Sequence, residues 1–214
     1  MLNRHVLPAG APRHAAGFTL IEMMVAIVLG MLVIGAVLAF IFSLVRANSE
    51  TVLSTRLNQE LRGTMAVIAS DVRRARGMGD PIAAVGQNGS VSNPYQAIVI
   101  PVSQDCIRYS YSEDTAGTTT NYRAIRRNND KVELVRAANS AAAACNTSGT
   151  ALNSDGVRIT GLTFRRVVAN SDRRVEIELT GELRNPPAYM NDNTASKVTV
   201  KTIRQVVSIR SNGS

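Results

Sequence analysis

The longest uninterrupted apolar run lies near the N-terminus, where Met23 to Val45 gives 23 residues without a charge. At 1.5 Å rise per residue, a helix of that length crosses a hydrocarbon core. Apolar residues then recur every three or four positions, at Leu53, Leu57, Leu61, Met65, Ile68, Val72 and Ala75. Arg46, Glu50, Arg56, Glu60, Arg62, Arg73 and Arg74 take most of the other positions. One amphipathic stripe results, so the pattern predicts a single helix from the apolar run to about Arg76, on the order of 85 Å long. Isolated helices gain little from propensity alone, so the second half needs a cover for its stripe. A sheet laid on it is the expected solution.

From residue 77 to 96 the period is lost among Gly77, Gly79, Pro81, Gly86, Gly89 and Pro94, which predicts a connecting loop. Strand signals follow over 97–102, 107–112, 122–127, 131–135, 157–168, 173–183 and 197–210. Alternation is clearest in Val175, Ile177 and Leu179 against Arg174, Glu176 and Glu178, and in Ile107, Tyr109 and Tyr111 against Arg108 and Ser110. One face of such a sheet is buried and the other wet. In the last strand the apolar phase slips from Val198 and Val200 to Ile203, Val207 and Ile209, which predicts a bulge near Thr202. The fold class expected is α+β, a long N-terminal helix packed on an antiparallel sheet built from 97–214.

Composition adds direction to this picture. The 214 residues carry a formal charge of +8, with two Cys, two His and no Trp, and the mean hydropathy of +0.01 averages an apolar segment with a polar remainder. That excludes a disordered chain and a many-spanning membrane protein. Arg4 and Arg13 precede the apolar run with no acid among the first 17 residues, which places the N-terminus in the cytoplasm and everything after Val45 outside. The small residues Ala15, Ala16 and Gly17 come before the run, whereas a secretory signal carries them after it. Cleavage there leaves the helix on the mature protein and removes His5 and His14, and with them any histidine-based catalysis or His-ligated zinc.

Glu22 breaks the apolar pattern. A carboxylate at depth costs about 2–3 kcal/mol, and less near an interface. Two readings stand: it snorkels to the headgroups, or it awaits a cation. If the bond after Gly17 is cut, Phe18 gains a free α-amine that a neighbouring subunit's Glu22 can pair with.

Gly17-Phe18-Thr19-Leu20-Ile21-Glu22, followed by Met23-Met24-Val25-Ala26-Ile27, resembles the class III signal of type IV prepilins and type II secretion pseudopilins. The resemblance implies cleavage between Gly17 and Phe18 by an inner-membrane prepilin peptidase, N-methylation of Phe18, and use of Glu22 for docking into a filament. The divisions that follow are a leader at 1–17, a transmembrane half-helix at 18–45, an amphipathic periplasmic half at 46–76, a loop at 77–96 and a sheet domain at 97–214. The later segments, Ile68 to Ala75, Asp105 to Tyr111, Asn121-Tyr122-Arg123, Cys145 and Ile159 to Phe164, are similar to PilW-type minor pilins. That resemblance implies a non-enzymatic role in initiating pilus assembly at the tip. Implied partners are the peptidase, other minor pilins, the major pilin, the inner membrane and the pilus assembly platform. A J-type pseudopilin of a type II secretion system shares the Asp-Val-Arg-Arg-Ala helix end. A single-span periplasmic module binding DNA or polysaccharide is a third reading, and gives no reason for the Gly17-to-Glu22 motif.

Cys106 and Cys145 fall in the oxidising compartment by the orientation above and are expected to form one disulfide, the alternative being two free thiols. Closing a loop of roughly 40 residues stabilises by about 4 kcal/mol at most. No cofactor is implied, and two Cys without a mature His leave no metal site. Glu176 and Glu178 share a strand face as paired carboxylates, but Arg173, Arg174 and Arg184 nearby favour a solvated charged face over acid/base chemistry. Asn191-Asp192-Asn193 resembles part of a calcium loop without its later Gly and Glu. Arg73-Arg74, Arg126-Arg127, Arg165-Arg166 and Arg173-Arg174 carry much of the charge, which falls to +6 without the two arginines of the leader. Such a surface can attract DNA, though no nucleic-acid motif is present.

Overall fold

The computed structural model describes residues 17–77, 95, 98–112, 119–169, 171–187 and 200–209. A first unit of the fold ends at Asn48 and a second begins at Ser49. One helix, α1 (Leu20–Arg73, 54 residues), contributes to both.

In the first unit every described residue from Gly17 to Asn48 is exposed, the apolar side chains from Phe18 to Val45 among them. This segment is long and apolar enough to cross a membrane. In the second unit the amphipathic stripe folds as its period requires: Leu57, Leu61, Met65, Ile68, Ala69, Val72 and Ala75 are all buried, and Leu53 packs against them. Each fully buried Leu or Ile contributes about 1.5–3 kcal/mol relative to exposure.

Two antiparallel sheets cover the stripe, where the sequence leads one to expect a single sheet. The first has the order β1 (Cys106–Ser112), β2 (Thr120–Asn128), β3 (Lys131–Ala137), β4 (Thr150–Ala151). The second has the order β5 (Val157–Arg166), β6 (Arg174–Leu183), β7 (Val200–Ser208). Ile107, Tyr109, Tyr111, Ile125, Val132 and Leu134 of the first sheet join Ile159, Phe164, Val175, Ile177, Leu179 and Val207 of the second in one core with the helix stripe. At Gly181 the sheet lies close to the helix, since a Cβ there would lie 2.8 Å from Leu61 Cδ2 and 3.2 Å from Arg158 O.

The helix ends by tightening. Arg74 and Ala75 donate to carbonyls three residues back, a 3₁₀-type closure of the last turn. Arg76 then takes a left-handed φ of 63°, and its N–H donates to Ser110 O at 2.9 Å while Ser112 N–H donates to Gly77 O at 3.0 Å. These two bonds pin the helix exit against the backbone of β1. A side chain at position 77 would come within 2.8 Å of Arg74 O, so this exit requires glycine.

Two local expectations are corrected. Residues 98–102 form no strand: Val99 makes a single bridge to Arg108, after which Pro101, which has no N–H to donate, opens a turn closed by Gln104 N–H on Pro101 O and a left-handed Gln104. The bulge lies in β5, between Ile159 and Gly161, and not near Thr202. β7 pairs with β6 without a shift from Glu182↔Val200 to Arg174↔Ser208; Val200 and Val206 sit on its outer face while Lys201 and Gln205 share the inner face with Ile203 and Val207. Most of the expected loop at 77–96, the Asn191–Asn193 segment and the ends of the 197–210 strand lie outside the described residues.

Candidate functional site

Gly17, Phe18 and Thr19 are non-helical, and α1 begins at Leu20. Thr19 caps it: its Oγ1 accepts the Glu22 N–H at 3.3 Å and its carbonyl accepts the Met23 N–H at 3.2 Å. The Thr-x-x-Glu spacing is that of a capping box, so Glu22 sits in the first turn, where the helix dipole favours a carboxylate. Phe18 is 81 % exposed and Glu22 is exposed. A Cβ placed on Gly17 would meet nothing within 4 Å, and the same is true of Gly30 and Gly35. Among the described residues nothing demands glycine at these three positions.

In the second unit, the helix end is tied to the first sheet by a polar network. Tyr109 donates to Asp71 Oδ2 at 2.5 Å and Tyr111 to Asp71 Oδ1 at 3.4 Å. Arg123 Nε donates to Tyr111 Oη at 3.3 Å, and its guanidinium lies 5.6 Å from the centre of that ring. The two tyrosine rings stack at 6.5 Å. Burial, and secondarily the Asp71 carboxylate, hold the Tyr109 phenol well above its ordinary range. Sequence reasoning quoted all four residues for their resemblance but assigned them no contact.

On the outer face of the first sheet, Cys106 and Cys145 are joined in a disulfide with Cα atoms 6.0 Å apart. Two arginines hold the same loop. Arg108 donates to Ala143 O and Ser140 O at 2.8 and 2.6 Å, and Arg126 donates to Cys145 O at 2.9 Å. Arg126 also pairs with Glu133 at 3.0 Å, both side chains being 12 % exposed. Burial alone would raise the Glu133 carboxyl; hydrogen bonds from Asn128, the Gly149 N–H and Arg126 outweigh it and hold the group below its ordinary value.

Glu176 and Glu178 lie on the outer face of the second sheet, where Glu178 pairs with Arg204 at 3.0 Å. Arg158 pairs with Glu182 on that face, while Arg166, opposite the buried Val175 in register and so on the inner side, pairs with Asp172 at 2.8 Å. This is the charged face expected of the pattern: Arg174 lies two residues before Glu176 on the same strand face and Arg165 stands opposite Glu176 in register, Arg204 is the partner of Glu178, and Arg184 pairs instead with Asp130.

Residues 12–38 match the prokaryotic N-terminal methylation motif, and residues 50–202 match the family of prepilin peptidase-dependent protein B. The chain belongs to that family. It is a type IV prepilin-like protein, dependent on prepilin peptidase, with the α+β architecture described above. A type IV-like pilin from Thermus thermophilus is similar in structure, at a TM-score of 0.43 and 12 % identity over 72 % of this chain and 96 % of that one. No curated protein matches the chain significantly.

Proposed function

We propose that the protein is a PilW-type minor pilin that helps initiate type IV pilus assembly, at the tip of the filament. Prepilin peptidase cuts between Gly17 and Phe18, and Phe18 is N-methylated. Residues 18–45 anchor the chain in the inner membrane with residues 46–214 in the periplasm, until the helix moves from lipid into the filament. The observation that carries this reading is an apolar helix exposed among the described residues, starting two residues after Phe18 and bearing Glu22 in its first turn. Exposed apolar area on that scale requires lipid or neighbouring helices, and both environments are apolar enough to make a selective charge pair matter.

Local features support the rest of the mechanism. Gly17 packs against none of the described residues, so a glycine there fits recognition of an extended peptide by a protease. Thr19 starts the helix immediately behind the new N-terminus, which fixes the Phe18 amine at the helix entrance. The Glu22 carboxylate then neutralises the Phe18 amine of an adjoining subunit. In apolar surroundings that attraction exceeds its value in water, with desolvation offsetting part of it. Gly30 and Gly35 allow helices to approach closely, as small residues do in membranes.

Mass spectrometry of membrane-extracted protein tests the processing. The mature chain is expected to begin with N-methyl-Phe18 and to lack the 17-residue leader; an intact Met1 N-terminus in cells with active prepilin peptidase contradicts the proposal.

A further inference from the structure

The second sheet has unequal edges. β5 leans on the first sheet's side of the fold, with Ile159 N–H donating to Asp130 O at 2.9 Å and Phe164 N–H to Gln104 O at 2.8 Å. β7 has β6 on one side and, among the described residues, no strand on the other. Its nine residues pair with β6 without interruption. Ile209 N–H donates to Arg173 O at 2.8 Å, and in an antiparallel ladder alternate residues share that orientation. Lys201, Ile203, Gln205 and Val207 therefore aim their backbone groups at β6. Thr202, Arg204 and Val206 aim theirs away, as a row of donors and acceptors ready for another strand.

Proteins blunt such edges with proline, bulges or inward charges. Val200–Ser208 contains no proline and no bulge, and its one inward charge is the half-buried Lys201. The strand carries Lys201 and Arg204 and no acid. Arg204 is its middle residue, so two copies of β7 paired antiparallel in full overlap would set Arg204 against Arg204, and like charges directly opposite are destabilising. A foreign strand with a carboxylate at that place meets no such penalty. Arg204 remains 65 % exposed beside Glu178, and Val206, 51 % exposed, offers apolar area on the same face.

We propose that the free edge of β7 receives an extended segment of a different protein, added as a further strand, with an acidic residue opposite Arg204 flanked by β-branched or apolar residues. The test uses the full chain in detergent micelles, titrated with an end-blocked nonapeptide of alternating Val and Thr bearing Glu at its centre, and reads backbone amide exchange. Exchange at Thr202, Arg204 and Val206 is expected to slow by roughly tenfold or more. Val206→Pro and Thr202→Pro remove an outward donor without touching the β6 ladder, and each is expected to abolish the effect with thermal unfolding unchanged. Should either variant fail to fold, Arg204→Glu is expected to reverse the preference, binding a Lys-centred peptide in place of the Glu-centred one. The proposal is overturned if millimolar peptide leaves these amides unprotected, if a folded proline variant binds as the wild type does, if both peptides protect equally, or if protection rises with protein concentration in the absence of peptide.

Discussion

Tyr109 and Asp71, 38 residues apart in sequence, meet in a 2.5 Å hydrogen bond that joins the last turn of the long helix to the first strand of the sheet. Tyr111 and Arg123 extend the contact. Residues from three of the motif segments, 68–75, 105–111 and 121–123, thus meet at one joint, immediately before the tight exit through Arg76 and Gly77.

Removing the phenol oxygen leaves the Asp71 carboxylate with a single weak tyrosine partner. Tyr109→Phe is expected to destabilise the folded domain by about 1–3 kcal/mol, read as a lower Tm of the full chain in detergent. The Tyr109 pKa is raised in the folded state, so its contribution is present below the ordinary tyrosine pKa and is lost as pH rises through the folded value. Wild-type protein should therefore lose stability above about pH 10 more steeply than Tyr109→Phe. Equal slopes would remove the buried phenol from the account.

Glu133 gives the opposite pH signature. Its carboxyl is held below the ordinary value, so the stabilisation is complete above the unfolded pKa of about 4.3 and disappears as pH falls through the folded one. Glu133→Gln is expected to cost about 1–3 kcal/mol at neutral pH and to flatten the loss of stability on acidification. Acid unfolding curves of the two proteins make the comparison.

The Cys106–Cys145 bond closes a separation of 39 residues, and Cys106→Ser should lower stability by up to about 4 kcal/mol. Because Arg108 and Arg126 hold the carbonyls of Ser140, Ala143 and Cys145 independently of the sulfurs, the variant should keep its loop docked. Unchanged amide exchange at residues 140–145 under native conditions, together with a lower Tm, is the expected pair of results. Non-reducing peptide mapping of exported wild-type protein should recover the two cysteines in one linked fragment.

What was legible in the sequence is what repeats. The stripe from Leu53 to Ala75 was readable because a helix reports its buried face every three or four residues, and β6 because Val175, Ile177 and Leu179 alternate with charges. The β5 bulge was equally written, in the phase change from Val157 and Ile159 to Leu162 and Phe164. The edge strand misled for the converse reason: Val200 and Val206 face outward on β7, where β-branched residues suit a strand whether or not they are covered. The Asp71–Tyr109 bond, the arginine grips on loop carbonyls and the two-residue β4 leave no periodic trace, since each depends on distant segments meeting. At the N-terminus, motif spacing singles out Gly17, Phe18 and Glu22 for the roles proposed above, while the cap by Thr19 needed the helix start.

The central claim is that Glu22 serves assembly by pairing with a neighbour's Phe18 amine. Glu22→Val makes the span more apolar and retains the Gly17–Phe18 bond, so processing and membrane insertion should proceed. The decisive measurement is a count of surface pili in a strain whose only copy carries Glu22→Val, with the processed protein quantified in the membrane. The account predicts normal membrane levels with few pili and little incorporated subunit; wild-type piliation with normal incorporation would contradict it.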